Sequence, residues 1–176
     1  MLPHDFPIWQ TVYYYFRHWR ITNTWQDINA KLQQWYRVRE GREATPSAGC
    51  IDSQSTKIAS RLASPEEVGI DGGKLVNGRK RHILVDTLGL LIMVVVTAAN
   101  LNDRKGATKI LEKLNHVRDR FPRLSTLWVD RGYSGQAFIM AILHTFYWCL
   151  QVVVPPTGQK GFVVQQKRWV VERTFA

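Results

Sequence analysis

The chain has 176 residues, 45% hydrophobic and 22% charged, which suits one α/β core plus a small extra module and excludes a disordered tail. Its formal net charge of +10 is uneven: residues 1–88 carry 12 Lys/Arg against 9 Asp/Glu, and residues 89–176 carry 12 against 5. Such a balance points to nucleic acid or an anionic membrane surface. A spanning segment is ruled out because the most apolar stretch, residues 83–99, is interrupted by Asp86 and Gly89, and no signal peptide opens the chain. Cys50 and Cys149 lie in strand-like segments and read as small buried hydrophobes in a reducing, cytoplasmic setting.

From Pro7 to Arg20, Trp9, Val12, Tyr13, Phe16 and Trp19 recur at helical spacing, and Trp25, Ile28, Leu32 and Trp35 do so from Thr24 to Arg39. Thr22, Asn23 and Thr24 punctuate the two helices. The aromatic stripe reads as packing, with Lys31, Arg37 and Arg39 outside, although a base-stacking platform has the same pattern. Glu40 to Ser47 then reads as a linker, so that residues 1–45 form a helical segment and 46–176 a separate domain.

Strands are expected at Ala48–Asp52, Arg81–Asp86 and Leu90–Ala98, the last two joined by a hairpin at Asp86-Thr87-Leu88-Gly89. A helix capped by Asn102 or Asp103 runs to about His116, followed by a strand at Thr126–Val129 and a helix from Ser134 to about His144. The chain closes with a strand at Phe146–Val154, a turn at Pro155-Pro156-Thr157-Gly158 and a helix from near Lys167. This order predicts an α/β fold, a ribonuclease H-like mixed five-stranded sheet flanked by helices and preceded by a small N-terminal helical segment. In such a sheet the first and fourth strands are neighbours, so Asp52 and Asp130 lie side by side, and a third acid, Glu172, comes from the closing helix.

Each acid also has a plainer reading. Asp52 equally suits a turn cap with Ser53 or Ser55, Asp130 an Asx-turn before Gly132, and Glu172 an ion pair with Arg168 one helical turn earlier. Together they form a set of hard oxygen ligands in a cationic protein, the combination that Mg²⁺ or Mn²⁺ takes at a phosphodiester. Asp71 and Asp86 sit in turn sequences and are weaker candidates, Asp103 looks like a helix cap, and no Cys/His spacing suggests zinc. Arg79, Lys80, Arg81 and His82, entering the second strand, are the leading phosphate contacts, with Lys74, Arg131 and Arg168 beside the acids; a solvated strand edge gives the same charge run. Gly72-Gly73-Lys74 is too short for a P-loop.

Several segments together resemble bacterial insertion-sequence transposases of the DDE type, the insertion sequence five family. They are Leu2-Pro-His-Asp-Phe-Pro7, Ile51-Asp52-Ser-Gln-Ser55, Asp71-Gly-Gly-Lys74, Gly78 through Gly89, Asp130-Arg-Gly-Tyr133 and Arg168-Trp-Val-Val-Glu-Arg-Thr-Phe175. The resemblance implies that Asp52, Asp130 and Glu172 form a catalytic triad holding two Mg²⁺ or Mn²⁺ ions. It also implies hydrolysis at the terminal inverted repeats of an element, transfer of the freed 3′-hydroxyl into target DNA, a homodimer on the DNA, and no membrane. Members usually begin before the position of Met1 and carry a Lys beyond Ala176, while Gln165 replaces the motif's leading Tyr. The chain therefore reads as truncated at both ends, with an inactive DNA-binding remnant and a plain ribonuclease H-like nuclease as the alternatives.

Overall fold

A computed structural model describes residues 3–58, 67–154 and 168–175, and divides the chain into two compact units, Met1–Ala44 and Thr45–Ala176. In the first unit, α1 (Trp9–Ile21) and α2 (Thr24–Arg39) meet at Asn23, whose φ of 58° reverses the chain. Thr22 Oγ1 donates to the His18 carbonyl at 2.9 Å and closes α1. Trp25 stacks edge-on against Trp19 with ring centroids 5.0 Å apart, and Phe16 lies 6.3 Å from the same ring. The stripe does not make a core, contrary to expectation: no residue of α1 is buried, and Trp9, Tyr13 and Phe16 remain about half exposed. Arg37, expected outside, is buried and donates through Nε to the Glu43 carbonyl at 2.9 Å.

The second unit is built on a mixed sheet of β1 (Ala48–Lys57), β2 (Gly69–Asp71), β3 (Val76–Asp86), β4 (Leu91–Ala98), β5 (Thr126–Val129) and β6 (Cys149–Val152). β1 pairs antiparallel with β3 and parallel with β5, β5 pairs parallel with β6, and β4 and β2 both pair antiparallel with β3. The order β4-β3-β1-β5-β6 is the ribonuclease H-like arrangement. β2 was not expected; it pairs with residues 76–78 of β3, where β4 has ended. β1 and β3 are each longer than their apolar runs, because Ser53–Lys57 pair with residues 78–82 of β3, and residues 76–78 of β3 pair with β2, which satisfies their backbone groups despite mostly polar side chains. The expected fourth strand occupies its predicted residues, and the last is shorter than predicted.

Two layers cover the sheet. On one face α3 (Asp103–His116) and α4 (Gln136–Phe146) bury Ile110, Leu111, Leu114 and Ile142 against Ile51, Leu84, Leu127 and Val129. The Asn102 side chain caps α3 by accepting from Arg104 N at 2.9 Å. On the other face α5 (Trp169–Phe175) places Val170 and Val171 on Cys50, Ile83 and Val85. Burial of each valine contributes about 1.5–3 kcal/mol. The end of α5 grips the β3–β4 turn: Arg173 donates to the Leu88 carbonyl at 2.6 Å, and Thr174 to the Gly89 carbonyl at 2.9 Å. The predicted turn at 155–158 and the start at Lys167 lie outside the described residues. Cys50 is buried, and burial pushes its thiol up to about 12, whereas Cys149 is exposed, contrary to expectation.

Candidate active site

β1 and β5 run parallel with Cys50 opposite Trp128, so continuing that register by two residues brings Asp52 abreast of Asp130. Alternation fixes their face. Ile51 and Val129 point into the α3/α4 layer, while Cys50 and Trp128 belong to the α5 layer, and the two aspartates share their parity. Both therefore emerge on the α5 face, Asp130 just past the carboxyl end of β5 and Asp52 within β1, beyond the last residue that pairs with β5.

Each carboxylate is held locally by one oxygen. Asp52 Oδ1 accepts from Ser53 N, and Asp130 Oδ1 from Gly132 N, both at 2.7 Å. The other oxygens turn to a common cation: Arg168 Nη2 lies 3.2 Å from Asp52 Oδ2 and 3.9 Å from Asp130 Oδ2. Burial raises the Asp52 carboxyl above its usual range, against the opposing pull of the Ser53 amide and then Arg168. Burial disfavours the Arg168 charge too, but Asp52 and then Asp130 outweigh it and its pKa is raised. Two outward-facing oxygens from paired carboxylates are a hard donor set, and they fit a divalent ion. Glu172 is different. It is exposed on α5, its charge reaches Arg168, and among the described residues no three His, Cys, Asp or Glu side chains gather as a metal-holding group.

The run 79–82 splits between the two faces of β3. Arg79 and Arg81 share the α5 face with the aspartates, since Arg81 is opposite Gln54 and Ile83 opposite Asp52. Arg79 pairs with Glu67, and Arg81 bonds Gln54 while its guanidinium lies 5.7 Å from the Phe175 ring centre. Lys80 and His82 are corrected: they point under α3, are 6% and 0% exposed, and cannot reach a phosphate. Lys80 Nζ donates to the Leu101 carbonyl at 3.0 Å and to Asp103 Oδ1 at 3.1 Å, with Asp71 Oδ2 at 3.4 Å. Burial lowers the His82 imidazole to about 4, and its Nε2 lies 3.1 Å from Thr97 Oγ1. Lys74, in the turn before β3, and Arg131, in the 3-10 turn Arg131–Tyr133, are both exposed.

The turn readings of Asp71 and Asp86 hold: Asp71 accepts from Gly73 N at 3.0 Å and Lys74 N at 3.2 Å, and Asp86 from Leu88 N and Leu90 N at 2.8 Å. Asp71 is also buried beside Ser55, whose hydroxyl lowers its carboxyl to about 2. Asp103 is not the cap. Its Oδ1 accepts from Ser53 Oγ at 2.8 Å, so the first turn of α3 reaches the residue that follows Asp52. The signal available in sequence was the Asn102-Asp103 pair, since a helix start needs only one cap residue.

Residues 43–176 match the transposase DDE domain family, whose members use divalent metals. Over 103 residues the chain is 27% identical to a putative transposase for insertion sequence element IS402 from Burkholderia cepacia, covering 56% of this chain and 48% of the relative. It thus spans about half the length of that relative. Among solved structures it is similar to the Mos1 transposase paired-end complex with left transposon end, at 11% identity and a TM-score of 0.37. It is also similar to the Mos1 mariner paired end complex with Mn, at 12% identity and a TM-score of 0.35; each covers 85% of this chain and 44% of the other. Among the described residues no helix is long and apolar enough to cross a membrane. With the motif acids lying in the matched region, the chain belongs to the transposase DDE domain family.

Proposed function

We propose that the chain carries the catalytic domain of a bacterial insertion-sequence DNA transposase of the insertion sequence five group, acting in the cytoplasm on terminal inverted repeats and target DNA. Water attacks a phosphodiester at the element's end and releases a 3′-hydroxyl; that hydroxyl then attacks a target phosphodiester and displaces a second 3′-oxygen. No covalent enzyme intermediate is required. The main support is the convergence of Asp52 Oδ2, on β1, and Asp130 Oδ2, just past the adjacent parallel β5, on one cation.

Asp52, Asp130 and Glu172 would hold two divalent ions, Mg²⁺ or Mn²⁺, which when bound polarise the phosphate and stabilise charge on the attacking and leaving oxygens. Arg79 and Arg81, on the aspartates' face, contact backbone phosphates, and Lys74, Arg131 and Arg168 add positive charge around the acids. Orientation of the scissile strand is the larger part of the protein's contribution. Two copies form a homodimer that brings two element ends together.

The test is cleavage and strand transfer on labelled duplexes carrying the element's terminal repeat, with Mg²⁺ or Mn²⁺. Activity in the wild type that Asp52→Ala and Asp130→Ala both remove is the expected result. Equal activity in all three proteins overturns the assignment. The exposure of Glu172 favours a second reading, a chain that binds DNA without cutting it, and binding with no cleavage supports that one.

A further inference from the structure

Arg168 meets the aspartates in an unusual way for an arginine. Its planar fork ordinarily engages one carboxylate with two parallel N–H bonds. Here a single nitrogen, Nη2, approaches one oxygen from each of two carboxylates, while Nε is buried with no hydrogen-bond partner among the described residues. The guanidinium is used as a point charge. It stands between the Oδ2 atoms, the oxygens left over once Ser53 N and Gly132 N have taken the Oδ1 atoms. These are also the oxygens a divalent ion would need.

We infer that Arg168 is the resident cation of the Asp52–Asp130 pair and is exchanged for the divalent metal, so that guanidinium and metal compete for the same two oxygens. The inference rests on the metal-site reading above and deepens it. Two carboxylates abreast on neighbouring interior strands repel each other, and a cation between them offsets that repulsion and holds both in place before metal arrives. A divalent ion brings twice the charge to the same oxygens, and it cannot stand between the two Oδ2 atoms while Arg168 Nη2 does. The arginine is a weak tenant, because its approach to Asp130 Oδ2 is 3.9 Å, too long for a hydrogen bond. Once displaced, the guanidinium is a free positive charge on the face that carries Arg79 and Arg81. Arg168 is thus a positioning residue in the metal-free chain.

Mn²⁺ affinity of the full chain, without DNA, tests this by titration calorimetry and by paramagnetic resonance of free Mn²⁺. Arg168→Gln is expected to bind Mn²⁺ at least about fivefold more tightly than wild type, the low end of ordinary site coupling, and Arg168→Lys to fall between them. Asp52→Asn should abolish binding in both the wild-type and Arg168→Gln backgrounds. In the wild type, Mg²⁺ saturation should shift the Nε–Hε nuclear magnetic resonance signal of Arg168, a readout that stands even where a variant does not fold. Unchanged or weaker Mn²⁺ binding in Arg168→Gln, or an Arg168 signal unmoved at saturation, overturns the exchange while loss of binding in Asp52→Asn keeps the metal site. Mn²⁺ binding that survives Asp52→Asn removes the metal-site reading and the exchange with it.

Discussion

Ser53 and Asp103 are 50 positions apart in sequence, yet the serine hydroxyl donates to the aspartate at 2.8 Å and joins β1, one residue beyond Asp52, to the start of α3. Lys80 completes the junction by donating to the same Asp103 oxygen. Replacing Asp103 with Ala leaves the Lys80 ammonium with Asp71 and the Leu101 carbonyl alone. A loss of about 1–3 kcal/mol is expected, read as a lower urea midpoint with unchanged slope.

Gly106 lies inside α3, where alanine usually stabilises a helix by about 1 kcal/mol. Here the sign reverses, because a Cβ at Gly106 would overlap the His82 ring. His82 is fully buried and has no room to retreat. Gly106→Ala should destabilise by about 1–3 kcal/mol in a thermal melt, and a neutral or stabilising result would show that the helix shifts freely.

His82 also sets a pH dependence. Its folded pKa is about 4 against an ordinary 6.5, so between those values the unfolded chain binds the proton and the native chain does not. Stability therefore falls as pH drops from about 6.5 to about 4, by up to roughly 3 kcal/mol. Melts of wild type and His82→Gln across that window should differ in slope, the variant being flatter; Asp52 titrates in both proteins and cancels. Parallel slopes would mean that His82 takes a proton while folded.

Val171 is fully buried between α5 and the sheet, one residue before Glu172. Truncation to Ala removes two methyl groups and should cost about 1–3 kcal/mol. If Glu172 acts with the aspartates, strand cleavage should fall more steeply with temperature in Val171→Ala than in wild type. Equal temperature profiles would place the catalytic requirement elsewhere.

The split of the basic run gives a binding prediction. Arg79→Ala and Arg81→Ala should each lower the salt dependence of DNA affinity by about one unit of slope, measured by fluorescence anisotropy between low and physiological salt. Lys80→Met should leave that slope unchanged, since its ammonium is already engaged under α3. A slope change for Lys80→Met alone would reverse the assignment of faces.

Much of this protein is legible in its residues. Apolar periodicity located most elements, including β5 and α2 over their observed spans, because an element's type depends on near neighbours in sequence. The two aspartates were found by the same local logic, each ending an apolar run. Chain order placed those strands side by side. The limits of β1 and β3 were hidden, since their polar ends are extended only because they pair with each other and, at residues 76–78, with β2.

What only the tertiary structure decided is the partner of each charge. Four basic residues at 79–82 look alike in sequence, but a long β3 sends Arg79 and Arg81 to the open face and Lys80 and His82 beneath a helix. Asp103, beside the true cap, was free to reach Ser53, and Arg168, 116 residues after Asp52, came to stand between both aspartates. Sequence determined the acids and the scaffold that carries them, because both follow from local pattern and strand order. Burial and pairing belong to residues distant in the chain, so the face of each cation and the neighbour that neutralises it were fixed only when the sheet closed around them.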